Sequence, residues 1–166
     1  LTATLLAAVA GSAAAQDTAN WLYATHDYTG ARYTAIKQIT PANAGRLAPV
    51  CAFQMGDVSS FQTNPIVVDG VMIVTTSSVT VALDARTCRA KWRHTWKPRA
   101  APSWPQNRGV AVKDGLAVRG TSDGYLVALS LATGKEAWVK QIAKPEIGET
   151  LTMPPMIYDD LVIIGP

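Results

Sequence analysis

A block of twelve residues occurs twice in this chain, and its spacing limits the folds available more than any other feature. Val81-Ala82-Leu83-Asp84-Ala85-Arg86-Thr87-Cys88-Arg89-Ala90-Lys91-Trp92 returns as Val127-Ala128-Leu129-Ser130-Leu131-Ala132-Thr133-Gly134-Lys135-Glu136-Ala137-Trp138, which sets the two tryptophans 46 positions apart. Turn markers repeat with it: Asp69-Gly70, Asp114-Gly115 and Asp159-Asp160 follow one another at intervals of 45. A repeat of that length made of short β-runs cannot bury both faces of one sheet alone, so successive sheets must stack. One four-stranded sheet per repeat is the arrangement of propeller blades. Three turn markers and two tryptophan blocks predict an all-β fold, a β-propeller fragment of about two and a half four-stranded blades. Such a piece leaves an apolar face uncovered and reads as part of a longer protein.

The residue pattern supplies the strands. Apolar runs flank each Asp-Gly pair, whose residues tolerate positive φ and suit a two-residue hairpin. Strands are expected over 65–68, 71–76, 80–83 and 90–95, then 108–112, 116–120, 125–129 and 136–141, then 155–158 and 161–164. Ahead of these, residues 21–33 read as a connecting segment plus an early strand, and 49–55 as a further strand. Residues 40–47 read as a short helical turn, with Thr40 as its cap and Pro41 at the first helical position. The loop over 96–106 carries Pro98, Pro102 and Pro105, and a stiff loop between regular blades is placed to line a site. Trp92 and Trp138 are expected to pack between adjacent sheets and to hydrogen-bond through their ring N–H, a structural role.

Residues 1–15 carry no charge and end in Ala13-Ala14-Ala15, an A-x-A cleavage pattern. They are too short to span a bilayer and read as a secretory signal lacking its start, which leaves residues 16–166 as the propeller part and implies a periplasmic protein. The chain has two cysteines. Cys88 takes the turn slot that Gly134 fills in the next repeat, and a Cys51–Cys88 disulfide is expected in an oxidising compartment, the alternative being two buried thiols. The slight positive charge, +3, argues for no nucleic-acid partner. Arg89, Lys91 and Arg93 alternate with Ala90, Trp92 and His94, as on a solvated outer strand, and no aromatic residues interleave with basic ones as in a single-strand groove. His26 and His94 are too few and too far apart for a zinc site.

The Ala-Leu-Asp…Thr-Gly-Lys…Trp wording resembles the tryptophan-docking motif of quinoprotein dehydrogenases, eight-bladed propellers that use pyrroloquinoline quinone (PQQ) and calcium. Three further blocks carry the likeness. They are Trp21…Asp27-Tyr28-Thr29-Gly30-Ala31-Arg32-Tyr33, then Asn107-Arg108-Gly109-Val110-Ala111, and Gly148-Glu149-Thr150-Leu151-Thr152-Met153-Pro154-Pro155. The resemblance runs from Trp21 to Pro166.

The resemblance implies that Arg108 reaches a carboxylate of PQQ, which carries three, by two parallel donors. It implies that Thr152 gives the cofactor a hydroxyl, and that Gln62 falls where several relatives place a glutamate near the quinone. It also implies calcium as Lewis acid and an aspartate as general base during hydride transfer from an alcohol or sugar, with cytochrome c or a quinone as acceptor. The calcium ligands and the base are expected beyond residue 166, so the chain by itself is expected not to turn over. The best-known alcohol-oxidising members carry two adjacent cysteines just before Asn-Arg-Gly, and a chain without them departs from the methanol or ethanol type and leaves other PQQ dehydrogenases open. Here the stretch is Ser103-Trp104-Pro105-Gln106, in which Trp104 is expected to supply an apolar wall. A non-catalytic propeller scaffold of outer-membrane assembly is the alternative, against which Asn107-Arg108-Gly109 and the absence of a lipoprotein cysteine argue.

Overall fold

The computed structural model describes residues 20–166; the expected export signal, residues 1–15, lies outside the described residues. Two four-stranded antiparallel sheets and one hairpin follow in chain order. The first blade comprises β1 (Ile66–Val68), β2 (Val71–Thr75), β3 (Val79–Asp84) and β4 (Ala90–Thr95). The second comprises β5 (Ala111–Lys113), β6 (Leu116–Gly120), β7 (Tyr125–Ser130) and β8 (Glu136–Gln141), and β9 (Met156–Tyr158) with β10 (Leu161–Ile163) opens a third. Strands pair in simple sequence order within each blade.

The repeat governs fine detail as well as topology. Asp69, Asp114 and Asp159 all lie in the left-handed region, at φ 49°, 48° and 47°, as two-residue hairpins with the sheet's own twist require. Each complete blade has a register shift at the same point, between Ala82 and Leu83 and between Ala128 and Leu129. The bulge sets Ala82 opposite Trp92 and Ala128 opposite Trp138.

The apolar faces bury one blade against the next. Ile66, Ile73, Ala82 and Trp92 of the first blade meet Val110, Ala117, Val127 and Leu129 of the second. On the other face of the second blade, Ala111, Val118, Leu126 and Ala128 meet Ala143, Leu151 and Ile157. Side chains alternate along β7, so Val127 and Leu129 serve one interface and Leu126 and Ala128 the other. Trp92 sits between blades 1 and 2 and donates its Nε1–H to Leu131 O at 2.7 Å, as expected of a docking tryptophan.

Four expectations need correction. The strand expected over 108–112 begins only at Ala111, so Arg108 lies on irregular chain ahead of it. Residues 49–55 form no strand. They run as irregular chain over the outer face of blade 1, where Phe53 and Met55 pack on Val74, Val79, Val81 and Leu83. A ladder needs a neighbouring edge, and this segment lies against side chains instead. Residues 21–33 contain one isolated bridge, Trp21 with Val67, rather than a strand. The helical turn is the 3-10 piece Ala44–Arg46, and Thr40 does not cap it with its side chain. The cap runs the other way: the Thr40 N–H donates to Asn43 Oδ1 at 2.7 Å.

Candidate functional site

The chain enters the first strand of each blade at Asn64, Arg108 and Thr152, three positions spaced 44 apart. These entries converge. The Asn64 N–H donates to Arg108 O at 2.9 Å, and the Arg108 N–H donates to Thr152 O at 2.9 Å. The side chains add to the ladder, with Asn64 Nδ2 donating to Arg108 O at 2.9 Å and Arg108 Nη1 donating to Thr152 Oγ1 at 2.8 Å.

Neighbouring residues explain why the backbones come so close. Asn107 is wholly buried. Its Nδ2 donates to Gly120 O and its Oδ1 accepts from the Gly109 N–H, each at 2.9 Å, so it ties the entry of β5 to the end of β6. Gly109 has φ +131°, and a Cβ there would lie 2.9 Å from Asn64 O. Gly120 plays the same part toward Thr152, since a Cβ on it would lie 2.6 Å from Leu151 Cβ and 2.7 Å from Leu151 O. Only glycine lets these segments approach.

The proline-rich loop is anchored from blade 2. Fully buried Asp123 accepts from Trp96 Nε1 at 2.9 Å and from the Arg99 N–H at 2.7 Å. The Arg99 guanidinium lies 4.9 Å from the Trp96 ring centre and 5.0 Å from that of Tyr125. Further along, Ser103 Oγ donates to Pro145 O at 3.1 Å. Trp104 stays 62% exposed, a large apolar surface four residues before Arg108.

Of the residues singled out by sequence, Arg108 and Thr152 are brought into contact and both are half-buried. Gln62 is exposed, and its side chain makes no hydrogen bond among the described residues. Sequence reasoning missed Asn64, although the 44-residue spacing puts it in line with the other two. Cys51 and Cys88 are joined by a disulfide, with Cα atoms 6.0 Å apart.

The donor set fits an anionic, carboxylate-bearing ligand. Arg108 spends Nη1 on Thr152, and its other guanidinium nitrogens take no hydrogen bond among the described residues. The Thr152 hydroxyl, accepting from Arg108, keeps its own proton to donate. No group of three or more His, Cys, Asp or Glu able to hold a metal occurs among the described residues. A cavity of about 490 Å³, lined by Leu126, Trp138, Lys140 and Val162, lies on the face of blade 2 toward the third blade, apart from the Arg108 cluster.

Comparison with known proteins places the chain among propeller dehydrogenases. Residues 21–166 match the profile described as the glucose/ethanol/alcohol dehydrogenase β-propeller domain, designated PQQ. The chain is 36% identical over 152 residues to a 1-butanol dehydrogenase (cytochrome c) from Thauera butanivorans, covering 87% of this chain and 22% of that protein. A lanthanide-dependent methanol dehydrogenase from Methylacidiphilum fumariolicum is 30% identical over 154 residues, covering 87% of this chain and 25% of that protein. The solved structure of quinohemoprotein alcohol dehydrogenase ADHIIG from Pseudomonas putida superposes with a TM-score of 0.81 at 33% identity, over 89% of this chain and 22% of that one. The chain thus spans about a quarter or less of the length of these relatives.

Proposed function

The chain belongs to the PQQ β-propeller family of glucose, ethanol and alcohol dehydrogenases, and from that premise we propose that it supplies the first cofactor contacts of a PQQ-dependent dehydrogenase. The observation that carries the reading is the Arg108 Nη1–Thr152 Oγ1 contact of 2.8 Å at the convergence of three strand entries. It holds a guanidinium with unspent donors beside a hydroxyl. A planar fork of that kind grips a carboxylate by two parallel hydrogen bonds. Arg108 therefore binds a PQQ carboxylate, Thr152 donates to the same cofactor, and Gln62 reaches it from the segment ahead of β1. When bound, the quinone supplies a two-electron acceptor for the substrate's hydride.

The substrate is an alcohol or a sugar hydroxyl, and the electrons pass to cytochrome c or a quinone. Two relatives named for alcohol oxidation, one of them also for cytochrome c, support the alcohol and the cytochrome. Calcium is the metal proposed, with its ligands and the aspartate base beyond residue 166; a lanthanide is the alternative that one relative's name carries. The disulfide supports an oxidising compartment, hence the periplasm.

Titration of the intact protein with PQQ, followed by tryptophan fluorescence, tests this reading. Arg108→Ala should weaken binding about 10- to 100-fold, as loss of hydrogen bonds to a charged group does. Thr152→Val should weaken it about fivefold. Failure of the unaltered protein to bind PQQ, or equal binding by the Arg108→Ala variant, would overturn the reading.

A further inference from the structure

We propose that Asn64 is a positioning residue for Arg108: it fixes the main chain from which the guanidinium departs, and so raises affinity for a carboxylate-bearing cofactor without touching it. The proposal rests on the cofactor reading above and extends it.

Each link of the ladder has two points. Arg108 sends its N–H to Thr152 O and its Nη1 to Thr152 Oγ1. Asn64 sends both its N–H and its Nδ2 to the single carbonyl oxygen of Arg108, at 2.9 Å each. The Arg108 main chain is therefore held at both ends, by Asn64 on its carbonyl and by Thr152 on its N–H. Gly109 makes the arrangement possible, because a side chain there would lie 2.9 Å from Asn64 O. Asn64 is an exposed residue, yet one of its amide N–H donors is spent on another strand entry. A flexible arginine has rotamer freedom to lose on gripping a ligand. Anchoring its backbone beforehand narrows the set of positions its side chain samples, which is the physical basis of preorganisation.

The test uses the intact protein and PQQ alone as the probe. Asn64→Ala removes the Nδ2 donor and keeps the backbone N–H. Asn64→Asp keeps size and shape but turns an acceptor toward the Arg108 carbonyl. Asn64→Ala should bind PQQ about fivefold more weakly and Asn64→Asp about tenfold, with the unfolding midpoint unchanged. In an Arg108→Ala background, Asn64→Ala should have no further effect, because residues that act through one another are not additive. Asn64→Ala binding as tightly as the unaltered protein, while Arg108→Ala is weakened, would overturn the positioning role and leave the cofactor reading standing. An equal loss in both backgrounds would overturn it too, as would loss of the fold in both Asn64 variants, which would make Asn64 a framework residue. If the unaltered protein does not bind PQQ, or Arg108→Ala binds it equally, the cofactor reading fails and takes this proposal with it.

Discussion

The indole of Trp92 lies against the backbone of Gly134 so closely that a Cβ on that glycine would sit 2.5 Å from Trp92 Cε3. The last residue of one repeated block thus docks on the turn residue of the next. Gly134 also needs φ +70° for its turn, so a side chain there is opposed by the backbone and by the ring. Gly134→Ala should destabilise the protein by about 3 kcal/mol, combining overpacking with left-handed strain. Urea unfolding reads the loss. A Gly134→Ala protein as stable as the original would show that the ring moves aside freely.

Cys88 holds the same slot in the preceding block, at φ 56°, and there Cys51 is bonded to it in place of a stacked tryptophan. The bond closes 37 residues of chain and should stabilise by up to about 4 kcal/mol in the chain-entropy account. Reduction should lower the unfolding midpoint of the protein and leave a Cys51→Ser variant unaffected. Cys88→Gly should cost about 1 kcal/mol less than Cys88→Ala, since glycine accepts the left-handed turn.

Arg119 is wholly buried and staples blade 2 to blade 1. It donates to the carbonyls of Thr76, Ser77 and Val79 and to Thr80 Oγ1, at 2.6 to 3.2 Å. Burial lowers its guanidinium to about 10, against the pull of the Asp123 and Asp57 carboxylates, so it remains charged near neutrality. Arg119→Met should destabilise by about 3 kcal/mol or more, because several buried acceptors lose their donor together. Thermal unfolding measures it, and a loss below about 1 kcal/mol would mean that water replaces the guanidinium.

Asp57 accepts from the hydroxyls of Thr76, Ser78 and Ser59. The Thr76 hydroxyl first, then those of Ser78 and Ser59 and the charge of Arg93, hold its carboxyl below the ordinary 3.8, against the opposing effect of burial. The folded state therefore binds its proton less readily than the unfolded chain. The stability this contributes is complete above pH 3.8 and is lost as the pH falls through the lower folded value. At pH 7, Asp57→Asn should cost about 1 kcal/mol. The gap between variant and parent should close in denaturation curves recorded below pH 3.8; a gap independent of pH would exclude the carboxylate as its source.

How much was legible in advance differs from element to element. The hairpins at Asp69, Asp114 and Asp159 and the order of strands were readable, because turn chemistry and period-two burial act over a few residues and leave a pattern in the chain. Trp92 was readable as an inter-blade residue because it recurs with its turn. The segment over 49–55 was misread because apolar alternation is the same whether a run pairs with a strand edge or lies across a sheet face. Asn64 escaped notice for a related reason. Asn, Arg and Thr carry different functional groups on side chains of different length, so their common place in the repeat is hidden until their backbones are seen hydrogen-bonded. Arg119 and Asp123 were equally silent, since a charged residue in a strand reads as exposed unless the acceptors that bury it are known.

The sequence by itself determined that this chain builds stacked four-stranded blades and where the first hairpin of each turns, since both follow from a 45-residue period and from local turn preferences. The pairing of Arg108 with Thr152, the hold of Asn64 on Arg108 and the burial of Arg119 were decided only in three dimensions. Each joins residues about 40 positions apart on different blades, and such contacts depend on how closely two backbones approach. Gly109 and Gly120 set that approach at the strand entries, and what their missing side chains make room for becomes visible only when the neighbouring blade is in place.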